Sequence, residues 1–369
     1  MKALILGGGL TGCVVANELD KKGIRTLIIE QNNYLGGGCH TFFYGGHPYT
    51  EGPRPLSIKD GKAFEYINSV VELRKFPLIL DSYNEHDQKF YGFPIHWDDI
   101  QIMPDKDKIL KELEDKPKVN NATNLEDGWI NAVGPTLYGK YIKTYTEKMW
   151  EVESNRVFED FSWSVKGSPI QHGDRICRLG SISESQLHAY PIEETGYNRF
   201  FEYCTRNSEV YLNTVIEKVD LDKKEVYIAG EVIKGDIIIS TIALDDLLEG
   251  CFGELRYMGR DFHTIVLPIE HAFHEEHHFI YYPNREKFTR IVEYKSLTGH
   301  KADSTLLVME VPSHSNRLYS YNIKSEQDKA AKYMDNLPNG VYAMGRLGTY
   351  KYLDINQCIA SACEFADRF

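Results

Sequence analysis

The sequence has no C-x-x-C pair, and its seven cysteines are scattered and odd in number. That pattern excludes the disulfide framework of a small secreted domain and leads us to expect reduced thiols in a cytoplasmic protein. Basic residues are not in excess: 42 Lys and Arg face 54 Asp and Glu, a net charge of -12. No basic stripe stands out to neutralise a nucleic-acid backbone, so no nucleic-acid partner is expected. No run approaches 18 apolar residues, which excludes a membrane-spanning helix and leaves a soluble protein with no membrane partner expected. The chain opens directly on a strand-like stretch, so no signal peptide is expected before the fold. No zinc spacing, internal repeat or low-complexity tract is present. The densest histidine cluster, HAFHEEHH at residues 271–278, fits an exposed strand end or turn better than a metal site, and no metal is expected.

The first thirty residues are specific. Ala3, Leu4, Ile5 and Leu6 make an apolar run short enough for a buried parallel strand. Gly7, Gly9 and Gly12 follow at the G-x-G-x-x-G spacing, and residues 10–22, including Leu10 and Thr11, read as a crossover helix. One glycine is needed for the tight turn, one for close approach to a pyrophosphate and one for helix–strand packing. The helix N-terminus offers free amides and a positive dipole end to the phosphates. A second strand ends at Glu30, where an acid would hold a ribose hydroxyl. The stretch beginning Gln31 then supplies a second glycine loop, Gly36, Gly37 and Gly38. Large FAD enzymes of the amine-oxidase and mutase type are similar in this acid-then-glycine pattern, so FAD is favoured over NAD.

Further along, helices are expected at 62–73, 106–113, 125–133, 137–150, 197–204 and 324–334. Short strands are expected at 78–80 and 89–91, and a meander at 209–212, 215–220 and 225–229. A buried parallel strand at 236–240 precedes strands at 263–269, 279–282, 289–294, 306–311 and 341–344. Residues 155–191 read as mostly irregular. Asp354 is a good N-cap for a last amphipathic helix, with Ile355, Cys358, Ile359, Ala362 and Cys363 on one face. The fold expected is α/β, a Rossmann-type FAD-binding domain with an inserted helical lobe and a β-sheet substrate lobe. Residues 1–60, 205–250 and 335–369 would form the FAD domain, 100–155 the helical lobe, and 61–99, 156–204 and 251–334 the sheet lobe.

Five blocks in order resemble the UDP-galactopyranose mutase family: GGGLTGCVVANEL, the Glu30-x3-Tyr34-Leu-Gly-Gly segment, TYTEKMW (ending at Trp150), FTRIVEYK (around Arg290) and GRLGTYKYLDINQCIASA (from Gly345). The resemblance implies a flavin-dependent interconversion of pyranose and furanose forms of a nucleotide-diphosphate sugar. It further implies that reduced FAD is needed, with N5 attacking the anomeric carbon, and allows a homodimer. By the same resemblance Arg290, Tyr319 and Tyr350 contact the diphosphate, Trp150 and Thr146 wall the active site, and Arg346 lies near the cofactor. Asp354 and Ile355 then open a helix aimed at the flavin, and Ile216 joins the cofactor residues. An FAD oxidoreductase of the amine-oxidase type is the alternative.

The chain also departs from the family. Gly52-Pro-Arg-Pro-Leu-Ser-Ile stands where the family has G-A-H-I-F-H-T, so Arg54 replaces a histidine near the flavin and Ser57 replaces a second one. The family's R-x-P-x-R corresponds to the stretch ending Pro169-Ile170-Gln171, without either arginine, and Arg175 or Arg178 are nearby candidates to substitute. Leu353 replaces a family tyrosine. These changes point to a substrate other than UDP-galactose.

Overall fold

The structure is a computed structural model, and it describes all residues except 60, 120, 162–163, 165–168, 174–186 and 275–276. The apolar runs of the first and middle segments form a five-stranded parallel sheet, ordered Glu209–Tyr211, Arg25–Ile29, Lys2–Leu6, Ile237–Ser240, Val341–Ala343. Both faces are covered, which is why its inner strands lack alternation. Ala3 and Ile5 pack among the residues of the Leu10–Lys21 and Ile355–Ala366 helices. Leu4 and Leu6 face Val226 and Ile228 of a three-stranded antiparallel meander on the other side.

A seven-stranded sheet forms the second layer, ordered Tyr319–Ser320, Tyr257–Leu267, Thr305–Ser313, Arg290–Glu293, His277–Tyr281, Ile79–Asn84, Lys89–Phe93. Against one end of it lies a helical lobe, Trp97–Ile102 to Thr144–Trp150, with its own core around Trp129, Tyr138 and Met149. Lys148 fastens that lobe to the sheet, donating to the carbonyls of Tyr282 and Phe288 at 2.7 and 2.8 Å. Among the described residues no helix is long and apolar enough to cross a membrane.

Several elements differ from expectation for identifiable reasons. Glu209–Tyr211 does not begin the meander; it pairs in parallel with Arg25–Ile29 at the sheet edge. The meander is Lys218–Asp220, Glu225–Ile228 and Glu231–Lys234 instead. The helix at Lys62 ends at Asn68, whose side-chain oxygen accepts the Leu73 amide at 2.9 Å and starts a strand, Leu73–Phe76. The expected 137–150 helix begins at Pro135 and is interrupted by a π turn, Gly139–Lys143, before Thr144–Trp150.

The final helix is closed by a reciprocal capping box: Asp354 accepts the Gln357 amide at 2.8 Å, and Gln357 accepts the Asp354 amide at 2.9 Å. Asp354→Ala is expected to cost about 1 kcal/mol. A urea midpoint unchanged from wild type would show the cap to be dispensable.

Candidate active site

The glycine motif makes a cleft for physical reasons visible residue by residue. Gly7 has φ +97°, and a Cβ on Gly12 would fall 2.2 Å from the Gly7 carbonyl oxygen. The Gly36 amide donates to the Gly8 carbonyl at 2.8 Å, which ties the second glycine loop to the first. Glu30 accepts the Gly8 amide at 2.7 Å and the Asn32 amide at 2.8 Å, which fixes its carboxylate at the cleft edge.

Two hollows run along this cleft and share Gly9, Gly37 and Gly38. The larger, about 1060 Å³, is lined by Gly7, Glu30, Gln31 and Ile216 among others. The smaller, about 190 Å³, is lined by Leu10, Thr11, Arg54, Arg346, Asp354 and Ile355. Of the sequence-predicted cofactor residues only Gly12 lines neither hollow, because its place is under the turn. The donor set fits an extended dinucleotide: an acid for ribose, helix amides approachable over glycine for the pyrophosphate, and a smaller hollow beyond with Arg54, Arg317 and Arg346 in its lining.

That hollow adjoins a third cavity of about 620 Å³ between the seven-stranded sheet and the helical lobe, and Leu353 lines both. Strand register builds its charged wall. Arg290 and Glu310 are direct cross-strand partners, and Arg260 reaches the same carboxylate from the next strand. Glu310 is fully buried and holds Arg260 at 2.6 Å and Arg290 at 2.8 Å. Burial pushes the Glu310 carboxyl up, but Arg290 and Arg260 outweigh it and hold the group below its ordinary value. The two arginines share one carboxylate, so the wall carries an uncompensated positive charge toward the cavity.

Tyr319 stands before that wall, its ring stacked on Tyr352 with centroids 6.0 Å apart. Burial would raise its phenol; the guanidinium groups of Arg260, Arg54 and Arg290 outweigh this and bring it down to about 7. Trp150 and Thr146 line the cavity from the helical side, as do Tyr145 and Met149. Arg54 donates from Nε to the Gly38 carbonyl at 2.8 Å and from Nη2 to the Glu51 carbonyl at 2.7 Å. A Cβ on Gly52 would lie 3.4 Å from Arg290 and 3.7 Å from Arg54, so that glycine separates the two guanidinium groups.

Tyr350 is a correction. Its ring reaches the cavity lining, but its hydroxyl donates to the Arg256 carbonyl and accepts the Tyr321 amide at 3.2 Å. Tyr350 has φ +52°, and beyond that bend it is Tyr352, 55% exposed, that presents its ring to Tyr319 and Arg346. Sequence reasoning also missed Arg260 and Tyr281; each is a single strand residue whose face depends on pairing with distant segments. Gln171 is held by backbone pairing with Ile95 and Trp97 and does not line the cavity. Residues 167 and 168, Arg175 and Arg178 lie outside the described residues. Among the described residues only His86, Asp87 and Asp105 gather at metal-ligating distance, and the Lys140 ammonium occupies that position, 2.6 Å from Asp87 and 3.1 Å from Asp105.

The UDP-galactopyranose mutase family matches residues 140–352, more than half of the chain, and an NAD(P)-binding Rossmann-like domain matches residues 5–69. The chain belongs to the UDP-galactopyranose mutase family. As a member of it, the chain is an isomerase built on a flavoprotein fold. It is 22% identical to the UDP-galactopyranose mutase of Mycoplasma pneumoniae, over 99% of this chain and 95% of that protein. It is 23% identical to the dTDP-fucopyranose mutase of Escherichia coli, over 100% and 98%. The crystal structure of reduced UDP-galactopyranose mutase superposes with a TM-score of 0.81 at 17% identity, covering 100% of this chain and 95% of that one. A putative protoporphyrinogen oxidase from Exiguobacterium shares the fold at 0.72 and 15% identity.

Proposed function

We propose that this protein interconverts the pyranose and furanose forms of a nucleoside-diphosphate sugar, with FAD in the glycine cleft reduced during turnover. One observation carries the proposal: the Arg260–Glu310–Arg290 wall faces a cavity that adjoins the dinucleotide cleft at Leu353. A diphosphate leaving group needs cations already in place when its charge develops, and a desolvated pair of guanidinium groups supplies them without reorganisation. Glu310 keeps both arginines oriented. Trp150, Tyr145 and Tyr281 supply aromatic wall that excludes water around the sugar and base. Reduced flavin, when bound, supplies the nucleophile for the anomeric carbon. Related proteins named for a UDP sugar and for a dTDP sugar support the substrate class, and Leu353, which lines the cavity where the resembled family has a tyrosine, supports a substrate other than UDP-galactose.

The test is a panel of UDP- and dTDP-pyranoses incubated with FAD-loaded protein, with and without dithionite, and separated by chromatography. At least one is expected to yield a furanose product, and only under reduction. No product from any of them with the flavin fully reduced sinks the proposal. Bleaching of oxidised flavin by a substrate alone would instead favour the amine-oxidase type of chemistry.

Tyr319 gives this site a pH dependence. Below pH 7 its phenol is neutral and donates to an incoming phosphate; above about 7 it is an anion facing one. Affinity for the nucleotide sugar is therefore expected to fall from pH 7 to 9, by up to about tenfold per unit. Tyr319→Phe is expected to bind more weakly at pH 6.5 and to show a flat profile across the same range. KM against pH for both proteins measures this, and parallel profiles would refute it.

A further inference from the structure

Arg54 makes no ion pair with the wall that Glu310 organises, although its charge reaches both Glu310 and Tyr319. Its Nε and one Nη are spent on main-chain carbonyls of Gly38 and Glu51, and no carboxylate among the described residues lies within ion-pairing distance of it. The side chain lines the small hollow of the cofactor cleft. Across that hollow is Arg346, likewise bonded to a carbonyl, that of Leu353, and stacked over the Tyr352 ring at 4.8 Å. The N-terminus of the twelve-residue Ile355–Ala366 helix opens into the same space.

The other charged or titratable groups that line the hollow do not cancel this charge. Asp354 is exposed and engaged with the Gln357 amide. Arg317 is paired with Asp245 and Asp246. Burial pushes the Cys39 and Cys358 thiols up, so both are neutral. Glu51 offers Arg54 its carbonyl, and burial raises its carboxyl against the pull of Arg54. Tyr319 and Tyr352 line the adjoining cavity, Tyr294 is buried with its hydroxyl on the Thr50 carbonyl, all three act electrostatically on the guanidinium, and Arg290 lies beyond Gly52. Two guanidinium groups and a helix dipole thus converge on a hollow with a single carboxylate at its rim.

Resting on the flavin assignment made above, we propose that Arg54 is a cofactor-charge residue: it holds the reduced flavin as its anion and raises the potential of the bound couple. Reduction then takes two electrons from the reductant and one proton from solvent, and the second proton, which a neutral reduced flavin would carry, stays in water. A permanent cation favours the anionic reduced form over both the oxidised and the neutral reduced forms, because only the former adds a negative charge beside it. An arginine cannot release its proton across the working pH range, so the cation is present throughout, and only the Tyr319 phenol of the adjoining cavity, which titrates near 7, offsets part of it at the alkaline end.

The test measures the midpoint potential of FAD-loaded wild type, Arg54→Lys and Arg54→Met between pH 6 and 8.5, together with the absorption spectrum of the reduced flavin. Each proton taken up per two electrons moves the potential by about 30 mV per pH unit, since a tenfold change is about 30 mV for such a couple. Wild type and Arg54→Lys are expected to follow the one-proton slope and to show the anionic reduced spectrum. Arg54→Met is expected to turn to the two-proton slope near neutrality and to lose about tenfold or more in the reduction equilibrium at pH 8. A methionine variant with wild-type potential and slope overturns the proposal, and so does a neutral reduced spectrum in wild type, which needs no variant to fold. Failure of wild type to retain FAD would instead overturn the flavin assignment itself.

Discussion

Arg290→Met is expected to fold, to retain FAD and to lose about 100- to 1000-fold in kcat/KM for whichever nucleotide sugar the wild type turns over. The magnitude follows from the site. Arg290 keeps only 11% of its side chain accessible and faces the cavity beside Arg260. A desolvated charge pair truncated on one side costs roughly 2–5 kcal/mol, and each 1.4 kcal/mol is tenfold. The loss should fall on kcat as well as KM, because the leaving diphosphate carries more charge than the bound sugar ester and leans harder on the same cation. Folding survives because Glu310 retains Arg260 at 2.6 Å as a one-to-one partner. Arg290→Lys restores charge but not the planar fork and is expected to recover only part of the rate. A methionine variant within threefold of wild type would move the diphosphate elsewhere in the cavity.

What the sequence disclosed and what it hid divide along local and non-local lines. The Lys2–Leu6 strand, the glycine turn and Glu30 were legible because each requirement is met within thirty residues by residue types with few alternatives. Arg290 and Trp150 were legible through the blocks that contain them. Arg260 was not: whether a lone strand arginine faces solvent or a carboxylate is decided by the pairing of Tyr257–Leu267 with Thr305–Ser313. The edge strand Glu209–Tyr211 is three residues long, largely exposed, and pairs with a strand some 180 positions earlier, so nothing nearby marks it as parallel. Tyr350 and Tyr352 differ by two residues in a single motif. Only the positive φ of Tyr350 sends the first hydroxyl into the backbone and leaves the second ring for the cavity.

The converse substitution at the charged wall should damage the fold rather than the chemistry alone. Glu310→Ala removes the one carboxylate that both Arg260 and Arg290 share and leaves two buried guanidinium groups side by side with no carboxylate between them. Breaking a buried pair from one side costs about 3–5 kcal/mol, and here two partners are orphaned at once, so the upper end is expected. The asymmetry with Arg290→Met is the diagnostic feature: removing an arginine leaves a balanced pair, whereas removing the glutamate leaves like charges. Denaturant midpoints of the two FAD-loaded variants at pH 7 should differ accordingly. The wild-type contribution has a defined pH window as well. The folded carboxyl titrates below its unfolded value, so its stabilisation is complete above the unfolded value, near 4.5, and is lost as pH falls through the folded one. Nucleoside diphosphate should partly rescue Glu310→Ala, since a bound anion returns negative charge to the pair and stabilises the folded state in proportion to its occupancy. Equal midpoints for the two variants, or no shift with diphosphate, would mean that the arginines find other partners once Glu310 is gone.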